Sequence, residues 1–201
     1  IETTVLRGQI KETLSENDLM AGTMKSIYNV VNMSKMNREI GLIMGPHGTN
    51  MTIVDETCSV LSADDVTSIL INYYLSYSNA ETICIPVNTS KAIAELITSK
   101  GGKVRWITTK LRTPDDCIDL FYNSTTRYPY LEQKTDPMIV FLRVLEYLSL
   151  EKKELCEIKQ KLPKINLAST TIQCTPEEKA SIMAMFSAEI QGKNEEIIDG
   201  V

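Results

Sequence analysis

The sequence predicts an α/β protein of mixed, mainly parallel sheets covered by helices. Three observations predict it. Short apolar runs suited to buried strands alternate with segments of helical period over most of the chain. Capping residues, prolines and glycines fall at the junctions between them. Of the 201 residues, 43% are hydrophobic, enough to fill a core.

Residues 1–14 are polar and mixed, read as a strand or a tether. Ser15 starts a helix, with Asp18 in a capping-box-like relation and Met20, Met24, Ile27 and Val31 on one face. Ile40–Met44 is an apolar run long enough for a buried strand, broken by Gly45, Pro46 and Gly48. Met51–Val54 resumes as a strand, Asp55–Ser59 turns the chain, and Val60 and Leu61 complete a hairpin. Ser62 is an N-cap followed by Asp64 and Asp65, acids that favour the positive end of a helix. Val66, Ile69, Leu70, Tyr73 and Tyr74 give that helix its period. Thr82–Val87 reads as a central strand. Asn88, Thr89 and Ser90 cap a helix through Ser99, with Ala92, Ile93, Leu96 and Ile97 inward. Gly101 and Gly102 stop it, and Lys103–Thr108 is the next strand. Pro114 and Asp115 open a helix carrying Cys117, Ile118 and Phe121. Residues 122–135 read as a polar loop. Asp136 and Pro137 open a long helix to about Leu150, with Met138, Val140, Phe141, Val144, Leu145 and Leu148 as its apolar face. Glu151–Glu157 is a charged, solvated turn, and a short helix from Leu155 ends before Pro163. Thr170–Gln173 is a strand candidate, and Pro176 begins a helix to about Ile190.

Composition narrows the function classes. The net charge is -5 with no basic tract, which speaks against nucleic acid and anionic membranes as partners. No apolar run reaches the roughly 18–20 residues of a membrane span. Five widely spaced cysteines include no CxxC pair, so they suggest neither zinc nor a redox dithiol but small buried thiols in a reducing cytoplasm. The chain opens on Ile1 and closes on a strand-like Glu195–Val201, the expectation being a piece of a longer polypeptide.

From Ile40 to Thr108 the residues IGLIMGPHGTNMTIVDETCSVLSADD and CIPVNTSKAIAELITSKGGKVRWITT resemble the α-D-phosphohexomutases, the phosphomannomutases and phosphoglucomutases. Val54-Asp55-Glu56 and Ser62-Ala63-Asp64-Asp65 keep the family frame of a strand ending Val-Asp-Glu and a helix opening Ser-Gly-Asp-Asp. The long helix after Asp136 and the segment CTPEEKASIMAMF resemble the end of the third domain and the start of the fourth. The resemblance implies a three-layer architecture: residues 1–78 as the end of domain two, 79–163 as domain three, and 164–201 as the start of domain four. It also implies phosphoryl transfer from a phosphoserine on domain one, assisted by magnesium on three aspartates of domain two.

The metal loop departs from that pattern. The family's Asp-x-Asp-Gly-Asp-Arg aligns with Gly45, Pro46, His47, Gly48, Thr49 and Asn50, so only the turn glycine Gly48 remains. Magnesium takes hard oxygen ligands, and glycine, imidazole and hydroxyl do not replace three carboxylates. No metal and no cofactor is therefore expected at this loop. His47 has two readings, a general base or phosphate ligand, and a loop residue left after decay of the site. The sugar-reading Glu-x-Ser-Gly-His segment is missing too: the region reads NSTTRYPYLEQKTD. Arg127, Tyr128, Tyr130 and Lys134 are candidates for a phosphate or a ring there, against ordinary loop surface. Asn88, Thr89 and Ser90 are anion candidates at a helix N-terminus, against plain capping. No catalytic residue is assigned.

The run TTKLRTPDDCIDLF and the shortened loop before YPYLEQKTDP resemble the degenerate mutase-like regions of mannose-1-phosphate guanylyltransferase-like nucleotidyltransferases. The expected function is thus a non-catalytic phosphohexomutase-like region in sugar-phosphate metabolism. The alternatives are a fragment of an active mutase and a structural module. The expected partners are the rest of its own polypeptide, a hexose phosphate and a second copy, in the cytoplasm.

Overall fold

A computed structural model of the chain describes residue 32 and residues 39–45, 48, 50–108, 125–165 and 173–190. The helices expected from Ser15 and from Pro114, and the strand candidate Thr170–Gln173 apart from Gln173, lie outside those residues. Two compact units emerge: Ile1–Asn79 with Pro129–Leu162, and Ala80–Tyr128 with Pro163–Val201.

In the first unit, β1 (Gly41–Met44) and β2 (Met51–Val54) form an antiparallel hairpin, with Leu42 opposite Ile53. This pair is the antiparallel part of the mixed sheets expected. The short connection 45–50 returns the chain directly, whereas a parallel neighbour needs a crossover of a dozen residues or more. After β2 the chain turns sharply and Val60 bridges back to Val54. The turn is held by Asp55, whose Oδ1 accepts from the Thr57 and Ser59 amides at 2.9 Å each and from the Thr57 hydroxyl at 2.7 Å.

Helix α1 (Ala63–Tyr77) starts in a full capping box: the Asp65 amide donates to Ser62 Oγ at 3.1 Å and the Ser62 amide to Asp65 Oδ2 at 2.9 Å. All seven residues from Val66 to Asn72 are buried, so the helix is enclosed beyond the one stripe its period announced. Burying each large aliphatic side chain contributes about 1.5–3 kcal/mol. Helices α3 (Pro129–Thr135) and α4 (Pro137–Glu151) pack on α1. Glu132 of α3 accepts from the Tyr74 hydroxyl and pairs with Arg143 of α4, whose guanidinium lies 5.3 Å from the Tyr74 ring centre. Asp136 caps α4 by accepting from the Ile139 amide at 3.1 Å. The buried side of α4 is Val140, Val144 and Tyr147, while Met138, expected inward, is exposed. Helix α5 (Leu155–Gln160) follows Lys152, which takes a left-handed φ of 54°.

In the second unit, β3 (Thr82–Pro86) is central in a three-stranded parallel sheet of order β4-β3-β5, with β4 at Lys103–Ile107 and β5 at Thr126–Arg127. Helix α2 (Lys91–Ser99) crosses from β3 to β4 and packs on β4. It ends in a Schellman motif: the Gly102 amide reaches Ile97 O and the Gly101 amide reaches Thr98 O, each at 3.0 Å. Gly101 has φ +80°, a conformation that costs a residue with a Cβ. Helix α6 (Pro176–Ile190) exposes every side chain described on it, through Met185.

Three expectations need correction. The segment read as a polar loop contains β5 and α3, each held by partners distant in sequence. The turn Glu151–Glu157 is not wholly solvated, because Leu155 is buried. The thiols are not uniformly buried: Cys84 is, Cys58 and Cys156 are half-buried, and Cys174 is exposed, because these three lie in a turn, a helix start and a connecting segment. No helix among the described residues is long and apolar enough to cross a membrane.

Candidate functional site

The loop aligned with the metal site closes the β1–β2 hairpin. Gly45 donates its amide to Asn50 O at 2.8 Å, and Gly48 donates to Gly45 O at 2.9 Å. Gly48 has φ +68°, which explains a glycine there whatever else the loop does. His47, Thr49 and Pro46 lie outside the described residues. A Cβ added at Gly45 would meet Asn50 Cβ at 3.4 Å, the edge of ordinary contact. Space alone thus does not bar an aspartate at position 45. The glycine simply offers no ligand atom, and its amide is spent on closing the loop. Among the described residues, no three His, Cys, Asp or Glu side chains come together to hold a metal ion. In the described part of the loop, Gly45 brings no oxygen side chain for magnesium.

The carboxylates that follow β2, at the end of the hairpin away from the loop, are engaged in structure. Asp55 is buried within its turn. Glu56 reaches across to α5, accepting from the Leu155 amide at 3.0 Å and the Cys156 amide at 3.1 Å. Lys159 of the same helix donates to Ser59 Oγ at 2.5 Å and to Val60 O at 2.9 Å. The turn after β2 is therefore clasped to α5 at two points. Sequence reasoning missed this, since partners about a hundred residues apart leave no local signal.

In the second unit, Asn88, Thr89 and Ser90 follow β3 at the carboxyl edge of the parallel sheet, where ligands of α/β proteins commonly bind. The Thr89 amide is bonded to Pro86 O at 2.9 Å, and Ser90 Oγ accepts from the Ala92 amide at 3.3 Å. Capping thus accounts for Ser90. Arg127 is not brought to these residues. It pairs with Ile83 near the start of β3, about 10 Å of strand rise before Pro86, and its guanidinium donates to Thr126 O at 3.0 Å.

Nor do the neighbours of Arg127 form a ligand loop. Tyr128 is buried in the second unit, bonded to Cys84. Tyr130 belongs to the first unit and donates to Asp64 at 2.5 Å. Lys134 is exposed near the end of α3. Burial pushes the Cys84 thiol up, with the Tyr128 bond and nearby Arg105 pulling it partly back. A buried protonated thiol is no nucleophile.

Against solved structures, the chain matches a protein of Thermus thermophilus whose crystal structure is described as that of a phosphomannomutase. The TM-score is 0.56 at 12% identity, over 69% of this chain and 34% of that one. The fold is phosphomannomutase-like. Among curated proteins, the chain is similar to the phosphoglucosamine mutase of Methanococcus vannielii, 26% identical over 178 residues, 81% of this chain and 39% of the relative. No family profile matches. The two likenesses support the phosphohexomutase family, and the chain spans well under half the length of either relative.

Proposed function

We propose that the chain is a phosphohexomutase-like region, non-catalytic by itself, of a protein in sugar-phosphate or nucleotide-sugar metabolism. In this reading its parent is a cytoplasmic sugar-1-phosphate nucleotidyltransferase of the mannose-1-phosphate guanylyltransferase type. The observation that carries it is the loop after β1. Gly45 stands where the family has its first ligand aspartate, and Asn50 stands where it has arginine. Phosphoryl transfer rests on positioning and on neutralising phosphate charge, and a loop without carboxylates cannot hold the ion that neutralises it. A scaffold kept while its metal and sugar loops decay fits assembly, regulation or hexose-phosphate binding, with the rest of the polypeptide or a second copy as partner.

The relative's name supports a second reading, in which the parent is an active mutase. One measurement tests our reading and a second separates the two. The chain, supplied with magnesium and a hexose bisphosphate activator, is assayed on glucose 1-phosphate and mannose 1-phosphate. Our reading expects no turnover, and magnesium-dependent turnover defeats it. Peptide mapping of the parent then asks what lies upstream. A glycine-rich nucleotide-binding start supports the nucleotidyltransferase, whereas a serine-bearing mutase domain supports the second reading.

A further inference from the structure

We draw no further inference here: the strongest candidate, the exposed apolar side of α4 at Met138, Ile139 and Leu142, carries nothing because nothing among the described residues shows what covers it.

Discussion

Replacing Glu56 should loosen α5 selectively. Its carboxylate accepts from the first two amides of that helix, Leu155 and Cys156. Glu154, the residue at the N-cap, makes no side-chain bond of its own to the helix amides. Leu155 is fully buried, so its amide cannot easily find water instead. Bonds to a charged acceptor contribute about 1.5–3 kcal/mol and a lost cap costs about 0.5–2, so Glu56→Ala should destabilise the clasp by about 2 kcal/mol. Glu56→Gln keeps an acceptor but loses the charge, and should cost about 1 kcal/mol. Because the chain forms two units, a global melting curve would blur the effect. Native-state exchange at the Ile158 amide, which bonds to Glu154 O at 3.2 Å, reads it locally. About 2 kcal/mol is roughly a 30-fold acceleration. A change under about threefold in Glu56→Ala would refute the reasoning, since the distant cap would then contribute almost nothing.

Other expectations follow from single residues. Ser68 buries a hydroxyl that finds no hydrogen-bond partner among the described residues, so Ser68→Ala should stabilise the first unit by about 1 kcal/mol in urea titrations. Cys58 sits at φ 68°, and Cys58→Gly should gain up to about 1 kcal/mol by relieving that backbone, read by the same titration. Tyr147 is pushed up to about 12 by burial, then by the nearby Glu151 and Tyr77. Its contribution to stability is whole below its ordinary pKa near 10 and is lost as pH rises through about 12, because the unfolded phenol ionises first. Unfolding midpoints should therefore fall between about pH 10 and 12, and less steeply in Tyr147→Phe. Tyr77 and Lys153, both raised chiefly by their bonds to Glu151, account for part of the remaining fall.

What the sequence revealed was local. Ser62, Ser90, Asp136 and Pro176 announced helix starts, because a cap acts on amides two or three residues away. Gly101 announced a stop for a similar reason. The strand β3 was legible because its apolar run is bounded by turn residues. What stayed hidden depends on distant partners. The two residues of β5 are a strand only through Thr82 and Ile83. Helix α3 has no apolar period and is held by Tyr130 on Asp64 and by Gln133 on Thr67, the latter at 2.7 Å. On α4, period alone could not choose Tyr147 over Met138, since α1 selects the buried side. At the candidate site, substitution of the ligand aspartates was plain in the residues. The closure of the loop by Gly45 and Asn50, the clasp of its following turn to α5, and the separation of Arg127 from Ser90 needed coordinates.

The proposed function rests on the loop from Gly45 to Asn50 holding no magnesium. Calorimetric titration of the intact chain with magnesium chloride tests it most directly. No saturable heat is expected at concentrations where a carboxylate site would fill. A saturable single-site isotherm that disappears in His47→Ala would contradict it.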